Sequence, residues 1–523
     1  MPEGVFANLH QSLRQTLQER DWSPTPVQEA TQDDIAAGKD RLVIAPTGSG
    51  KTMAAVLPLL DRCLREQWQG MSILYITPLR ALNRDVDRRL EEITESVGLK
   101  LGLRHGDTTQ SERNKQVRKP PNVMITTPET FQLMFTGSKL RLLLMDVKAV
   151  IIDEIHEMID GERGWQLSLG LSRLEQFKSS KVQRIGLSAT IGNPEQVASW
   201  LSEETEAISA SAPRYTELSV DAIIPIPDDE VGSMELAISP RAHATLRGLA
   251  QIVEEKNPCL IFVNSRNNAE TISQRLQSIT PGLKIGVHHG SLAADTRAEM
   301  EDGLRDGSIQ ALVCTSSLEL GIDVGSINHI VQINSPRSVD RILQRVGRAD
   351  HRIGGIGSGH VLGWEADDLL ESAVISRRAM AGEIEAIEWR EKPLSVAANQ
   401  IVMMVHSHGA LPIDLVTDAI ANSNQFKGWR RGDTIGLGKV LADGWVIKCE
   451  EDPESVPWYR WPFDVWQKLV DTTKKVLPER PDLKLNEEPN NDLKNLKFTV
   501  PKPFDKGWLS RSGRTRQWVG NHL

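Results

Sequence analysis

The feature that most constrains this chain is a rhythm of short, continuously apolar runs, each halted by a small or polar turn. Arg41-Leu-Val-Ile-Ala-Pro46, Ser72-Ile-Leu-Tyr-Ile-Thr-Pro78, Asn122-Val-Met-Ile-Thr-Thr-Pro128, Ala149-Val-Ile-Ile-Asp-Glu154 and Arg184-Ile-Gly-Leu-Ser-Ala-Thr190 form one set. Cys259-Leu-Ile-Phe-Val-Asn-Ser265, Lys284-Ile-Gly-Val-His-His289, Gln310-Ala-Leu-Val-Cys-Thr315 and His329-Ile-Val-Gln-Ile-Asn334 form a second. Runs that do not alternate with polar residues fit strands buried on both faces, as in a parallel sheet, and the spacers are long enough for crossover helices. The rhythm therefore predicts an α/β chain with two parallel-sheet domains in tandem.

Between the sets, 209–232 carries prolines and the acidic run Pro227-Asp-Asp-Glu230, which reads as a linker. The boundaries that follow are a first domain over 1–208 and a second over 233–368. From about Leu369 the spacing turns helical and ends in a strand-like piece near Gly444–Lys448, which suggests a winged-helix-like module over 369–450. The remainder, 451–523, is Trp-rich and basic, and reads as a truncated accessory domain; Trp508 and Trp518 are expected to pack there. Gly354–Gly359 is too loose for a dinucleotide fingerprint and reads as a mobile loop.

Composition narrows the setting. Hydrophobic residues make up 39% of the 523 and charged residues 25%, which fits globular domains. Four cysteines lie far apart without a Cys-x-x-Cys pair, which disfavours a disulfide framework or zinc ribbon and fits a reducing cytoplasm. No apolar run approaches the roughly 20 residues of a membrane helix, and no secretory signal is visible at the N-terminus. With a net charge of −9, any nucleic-acid binding must come from local basic surface.

The chemistry sits at run ends. Ala45-Pro-Thr47-Gly48-Ser49-Gly50-Lys51-Thr52 follows one run and opens a helical pattern, the setting of a P-loop. Its glycines let backbone N–H groups face phosphate oxygens, Lys51 reaches the β- and γ-phosphates, and Thr52 holds Mg²⁺. Asp153 and Glu154 end another run; Asp153 can complete the Mg²⁺ shell while Glu154 orients and deprotonates a water. In the second domain, Gln344-Arg345-Val-Gly-Arg348-Ala-Asp-His351-Arg352 can bring cations to a transferring phosphoryl group. Hydrolysis would then depend on closure of an interdomain cleft.

Taken together, these residues resemble the superfamily-2 DExH-box helicases, and within them the Lhr-like (large helicase-related) branch, from about Thr25 to Gly355. The resemblance implies two RecA-like domains, an ATP hydrolase with ATP and Mg²⁺ as cofactors, and single-stranded DNA or RNA and their duplexes as partners. By it, Gln28 reads the adenine edge, Asp323 and Gln344 touch nucleotide, Arg348 is the arginine finger, and Arg345 and His351 supply further positive charge. Asp350, where relatives carry Gly, is a departure. His156, Ser188 and Thr190 couple hydrolysis to domain movement, while Thr77, Arg80, Thr127, Arg266 and Thr315 hold the nucleic-acid backbone. Such contacts are largely sequence-independent. The resemblance further implies 3′-to-5′ movement, unwinding of DNA or RNA–DNA duplexes and a role in DNA repair. Remodelling of RNA, or an ATP-switched clamp that does not unwind processively, are the alternatives.

Overall fold

The computed structural model describes residues 4–46, 48–78, 90–210, 216–319, 327–349, 357–363, 365–444, 446–450 and 497–499. Two parallel sheets organise it. In the first, β1 (Arg41–Ile44), β2 (Ile73–Ile76), β3 (Leu101–Arg104), β4 (Val123–Thr126), β5 (Ala149–Ile152), β6 (Gln183–Ser188) and β7 (Glu206–Ser209) lie in the order β3-β4-β2-β5-β6-β1-β7. Strands β1, β2, β4, β5 and β6 are buried at every residue, as unbroken apolar runs require when helices cover both faces. Their alternate side chains feed two separate cores, with Val43, Tyr75 and Ile151 in one and Leu42, Leu74 and Ile152 in the other. The edge strands β3 and β7 are only partly buried, and neither stands out in the sequence.

The second sheet contains β8 (Thr216–Asp221), β9 (Cys259–Phe262), β10 (Ile285–His288), β11 (Ala311–Cys314), β12 (His329–Ile333) and β13 (Gly357–Leu362), in the order β10-β11-β9-β12-β13-β8. Two sequence readings are corrected here. The segment 209–232 is not a plain linker: β8 pairs in parallel with β13 along its whole length, and Leu218 and Val220 pack onto the second core. The acidic run that followed starts a helix, Pro227–Glu235, with proline in its first turn and Asp228, Asp229 and Glu230 where the helix dipole favours negative charge. Asp229 is fully buried and pairs with Arg247, which with the Ile226 N–H and His243 holds its carboxyl well below the usual range against the opposing effect of burial.

The second correction is that part of the supposed Gly354–Gly359 loop belongs to β13. Its glycines are there for proximity rather than mobility: a Cβ at Gly357 would stand 2.8 Å from Val346, and one at Gly359 3.1 Å. The helix Val339–Val346 thus lies directly on bare backbone.

The boundary at 368 also shifts. Helix Ala366–Ala381 packs on β8 and on Val339–Val346, with Ile375 and Ala379 in the second-domain core. The third unit is built instead from helices Leu394–His408, Ile413–Ala421 and Arg431–Asp443. An antiparallel sheet joins them, with β16 (Lys497–Thr499) between β14 (Ala410–Pro412) and β15 (Lys448–Glu450). The described residues of this unit thus comprise three α-helices and a three-stranded antiparallel sheet.

This third unit sits on the first domain. Its core takes in Leu169 from the helix Glu162–Lys178. Around that contact Ser168 meets Ser423 at 2.6 Å, Ser172 donates to the Ala419 carbonyl, and Arg173 donates to Gln400 Oε1 at 2.7 Å. Gln400 in turn donates to Gln132 and Gln166. All five tryptophans beyond residue 450, Trp508 and Trp518 among them, lie outside the described residues.

Candidate functional site

Many of the expected functional residues that the structure describes lie at or just beyond the C-terminal ends of strands, where a parallel α/β sheet presents its loops. The strand order then separates two tasks. The P-loop, the acidic pair and Ser188-Ala-Thr190 follow the neighbouring strands β1, β5 and β6, whereas Thr77 and Thr127 follow β2 and β4.

The P-loop is built as its composition requires. Gly48 and Gly50 take φ of 82° and 92°, which L side chains resist, and helix Lys51–Arg65 starts directly after them. A side chain at Gly50 would also collide with Gln28, whose Nε2 lies 2.7 Å from where a Cβ would stand. Gln28 accepts from the Thr25 N–H and donates to the Gly50 carbonyl at 3.3 Å, so it props the loop. Lys51 is 8% exposed and donates to the carbonyls of Ala45 and Pro46. Burial lowers its pKa, while Glu154 and Asp153 oppose that shift.

Asp153 and Glu154 face this lysine from the end of β5. Asp153 is buried and accepts a 2.5 Å hydrogen bond from the Tyr75 hydroxyl, which also interacts with Thr52. Burial first, then the neighbouring Glu154, push the Asp153 carboxyl upward. Glu154 has a left-handed φ of 45°, a conformation that costs about 1–2 kcal/mol in a non-glycine residue. The turn carries it out of the strand line. Its Oε2 is buried without a hydrogen-bond partner, as are Thr25 Oγ1, Ser49 Oγ and Gln344 Oε1. Orphaned acceptors and hydroxyls around a buried lysine are a cradle for a phosphate ester and its cation.

That donor set fits Mg²⁺ held by Thr52 and Asp153. Among the described residues no three His, Cys, Asp or Glu side chains converge on an ion, so the phosphates would supply other oxygens, as Mg²⁺ sites in nucleotide enzymes commonly do.

The second domain closes the site. From helix Val339–Val346, Gln344 Nε2 donates to His156 Nε2 at 2.9 Å and to Glu157 Oε1 at 3.1 Å. The other ring nitrogen of His156, Nδ1, faces Ser188 Oγ at 3.1 Å. Ser188, His156 and Gln344 therefore form one chain of hydrogen bonds from the first sheet to the second domain. Arg348 is 3% exposed, donates through Nε and Nη2 to the Glu319 carbonyl, and lies close enough to Lys51 to lower its pKa.

Arg345 is a correction. It was expected to add charge at the phosphates, yet it is turned into its own domain, paired with Glu319 and Gln332 and placed 5.1 Å over the Phe262 ring. Arg348, just past the C-cap Gly347, meets the backbone carbonyl of the same Glu319 whose carboxylate holds Arg345.

Thr77 is fully buried with Oγ1 unpartnered, Thr127 caps helix Pro128–Met134, Thr315 follows β11, and Arg266 is exposed at the start of helix Arg266–Ile279. Thr190 lies just past β6. Thr47, Arg80, Asp323, Asp350 and His351 lie outside the described residues. Tyr75, Glu157 and Glu319 were missed. Tyr75 had a signal: it is one of three tyrosines and puts a hydroxyl inside an otherwise apolar run.

Comparison with known proteins agrees with this geometry. Residues 25–197 match the DEAD/DEAH box helicase family and residues 244–354 the helicase conserved C-terminal domain. The Lhr helicase/probable uracil glycosylase of Mycolicibacterium smegmatis is 36% identical over 453 residues, covering 77% of this chain and 30% of that protein. The ATP-dependent helicase Lhr-Core of Saccharolobus solfataricus is 34% identical over 546 residues, covering 99% and 62%. The structure of the Mycobacterium smegmatis helicase Lhr bound to ssDNA and AMP-PNP superposes with a TM-score of 0.74 at 35% identity, covering 84% of this chain and 58% of that one. The chain thus spans less than two thirds of these relatives' length. Among the described residues no helix is long and apolar enough to cross a membrane.

Proposed function

The chain belongs to the DEAD/DEAH-box helicases and resembles their Lhr-like branch, and from that premise we propose that it hydrolyses ATP to move along a single nucleic-acid strand. Lys51 and the P-loop N–H groups hold the triphosphate, with Thr52 and Asp153 directed at its Mg²⁺, which when bound neutralises charge on the phosphates. Glu154 orients and deprotonates the attacking water. Arg348 leaves the Glu319 carbonyl to stabilise the transferring phosphoryl group.

The observation that carries the reading is the Ser188–His156–Gln344 chain. It joins the acidic motif of one domain to the finger helix of the other, so the state of the nucleotide site bears directly on the relative placement of the two. Nucleic acid held at Thr77, Arg80 and Thr127 on one side and Arg266 and Thr315 on the other is stepped as the cleft closes and opens.

For the finer assignment we propose 3′-to-5′ movement on DNA, separation of DNA or RNA–DNA duplexes, and a role in DNA repair. The solved Mycobacterium smegmatis relative holds ssDNA, which favours DNA as the strand here. The test is ATP turnover with single-stranded DNA or RNA, combined with strand separation on duplexes carrying a 3′ or a 5′ tail. Stimulation by DNA and separation only from a 3′ tail is expected. Stimulation by RNA alone would assign an RNA-remodelling enzyme, and ATP-dependent binding without strand separation would assign a clamp.

A further inference from the structure

Two helices flank the interdomain cleft, and each carries a good capping residue that does not cap it. Asn193 precedes helix Pro194–Leu201 and Ser338 precedes the finger helix Val339–Val346, yet neither side chain makes a capping hydrogen bond. Asparagine and serine are preferred there because their side-chain oxygens accept from the helix's first N–H groups. Something else has claimed these positions.

It is the extended segment 384–389, which carries the chain from the second domain back to the first. Asn193 Oδ1 accepts from the Ile387 N–H at 2.8 Å, and its Nδ2 donates to the Ile387 carbonyl at 2.9 Å. Glu385 takes over the work of Ser338: both carboxylate oxygens lie 3.1 Å from the Val339 N–H at the start of the finger helix. A carboxylate at that end also favours the helix dipole. The segment has a foot in each core, with Ile384 packed in the second domain and Ile387 and Trp389 in the first. The approach at its centre is close, since a Cβ on Gly192 would stand 2.6 Å from the carbonyl oxygens of both Ile384 and Glu385.

Gly192 and Asn193 immediately follow Ser188-Ala-Thr190, and the capped helix is the one bearing Gln344 with Arg348 just beyond its end. We propose that residues 384–389 form a strap through which Asn193 and Glu385, as positioning residues, set the finger helix against the first domain during nucleic-acid-stimulated ATP hydrolysis. This rests on the helicase reading above. Neither residue touches nucleotide. Asn193 pins the strap to the motif that ends β6, and Glu385 passes that position to the finger helix, so the strap works in parallel with the His156–Gln344 contact.

The test uses the full chain with Asn193→Ala, Glu385→Ala and Glu385→Gln, measuring basal and single-stranded-DNA-stimulated turnover, the KM for ATP, and Tm. Loss of the capping hydrogen bond at Glu385, or of the paired hydrogen bonds between Asn193 and Ile387, shifts a two-state arrangement about three- to tenfold. Stimulated kcat should fall by that factor in both alanine variants, with basal turnover and the KM for ATP within about twofold of wild type. Glu385→Gln keeps an acceptor for the Val339 N–H and should recover most of the stimulation. Unchanged stimulation in the alanine variants would overturn the proposal. So would a parallel fall of basal turnover, stimulated turnover and Tm, which marks a merely structural role. If the wild-type chain shows no stimulation by DNA or RNA, the helicase reading fails instead.

Discussion

Replacing Gln344 with leucine tests how much the interdomain contact contributes. The leucine keeps similar bulk but removes the amide that donates to both His156 Nε2 and Glu157 Oε1. Each net hydrogen bond contributes about 1 kcal/mol, and a buried acceptor left without its donor costs about 1–3 kcal/mol. Glu157 is partly reached by solvent, so the lower end applies to it; its carboxyl is already pushed upward by burial. The sum weakens the closed arrangement by about 2 kcal/mol, or roughly 30-fold in its population relative to the open one. The assay is DNA-stimulated ATP turnover at saturating ATP for Gln344→Leu, His156→Phe and the double variant. Because both singles break the same bond, the double should be little worse than either, with a coupling energy of about 1–2 kcal/mol. Single-variant effects that add to within about 0.5 kcal/mol would show that the two side chains act separately and would refute the reasoning.

Glu154→Gln should bind ATP and single-stranded DNA together without turning over, measured by filter binding and phosphate release; ordinary turnover would remove it as the base. Arg173→Ala should lower Tm, because Arg173 is buried between the first domain and the third unit and its loss leaves the Gln400 carbonyl without its donor; about 2–4 kcal/mol is expected from denaturant unfolding. His329 is held down to about 3 by burial, then by the nearby charges of Lys256 and His360. It stays neutral when folded but takes a proton near pH 6.5 when unfolded, so its contribution is fully present above pH 6.5 and is lost as pH falls toward 3. Unfolding of the wild type should ease by on the order of 1 kcal/mol between pH 7 and 5, and His329→Gln should flatten that slope.

The central strands were legible because a strand covered by helices on both faces has no polar side to show, as in Val150-Ile151-Ile152. Edge strands gave no such signal: β7 is half exposed and β8 alternates weakly. Strand β13 was hidden by its glycines, which make room for the Val346 side chain rather than for a flexible loop. At the site, the P-loop and acidic pair were legible because phosphate and cation binding demand particular residue types at fixed spacing. Arg345 misled because spacing along a helix cannot show that Glu319 and Gln332, from other elements, take up its guanidinium. Tyr75, Glu319 and Glu385 act through contacts with residues 26 to 78 positions away, on other elements, and no local pattern encodes such a meeting.

The central claim is that ATP is hydrolysed at a seam completed by the second domain, and ATP turnover by full-length Arg348→Ala in the presence of single-stranded DNA tests it most directly. With the finger removed, kcat should fall by about 10³-fold or more while nucleotide still binds the P-loop. Turnover within a few fold of wild type would place the whole reaction in the first domain and contradict the account.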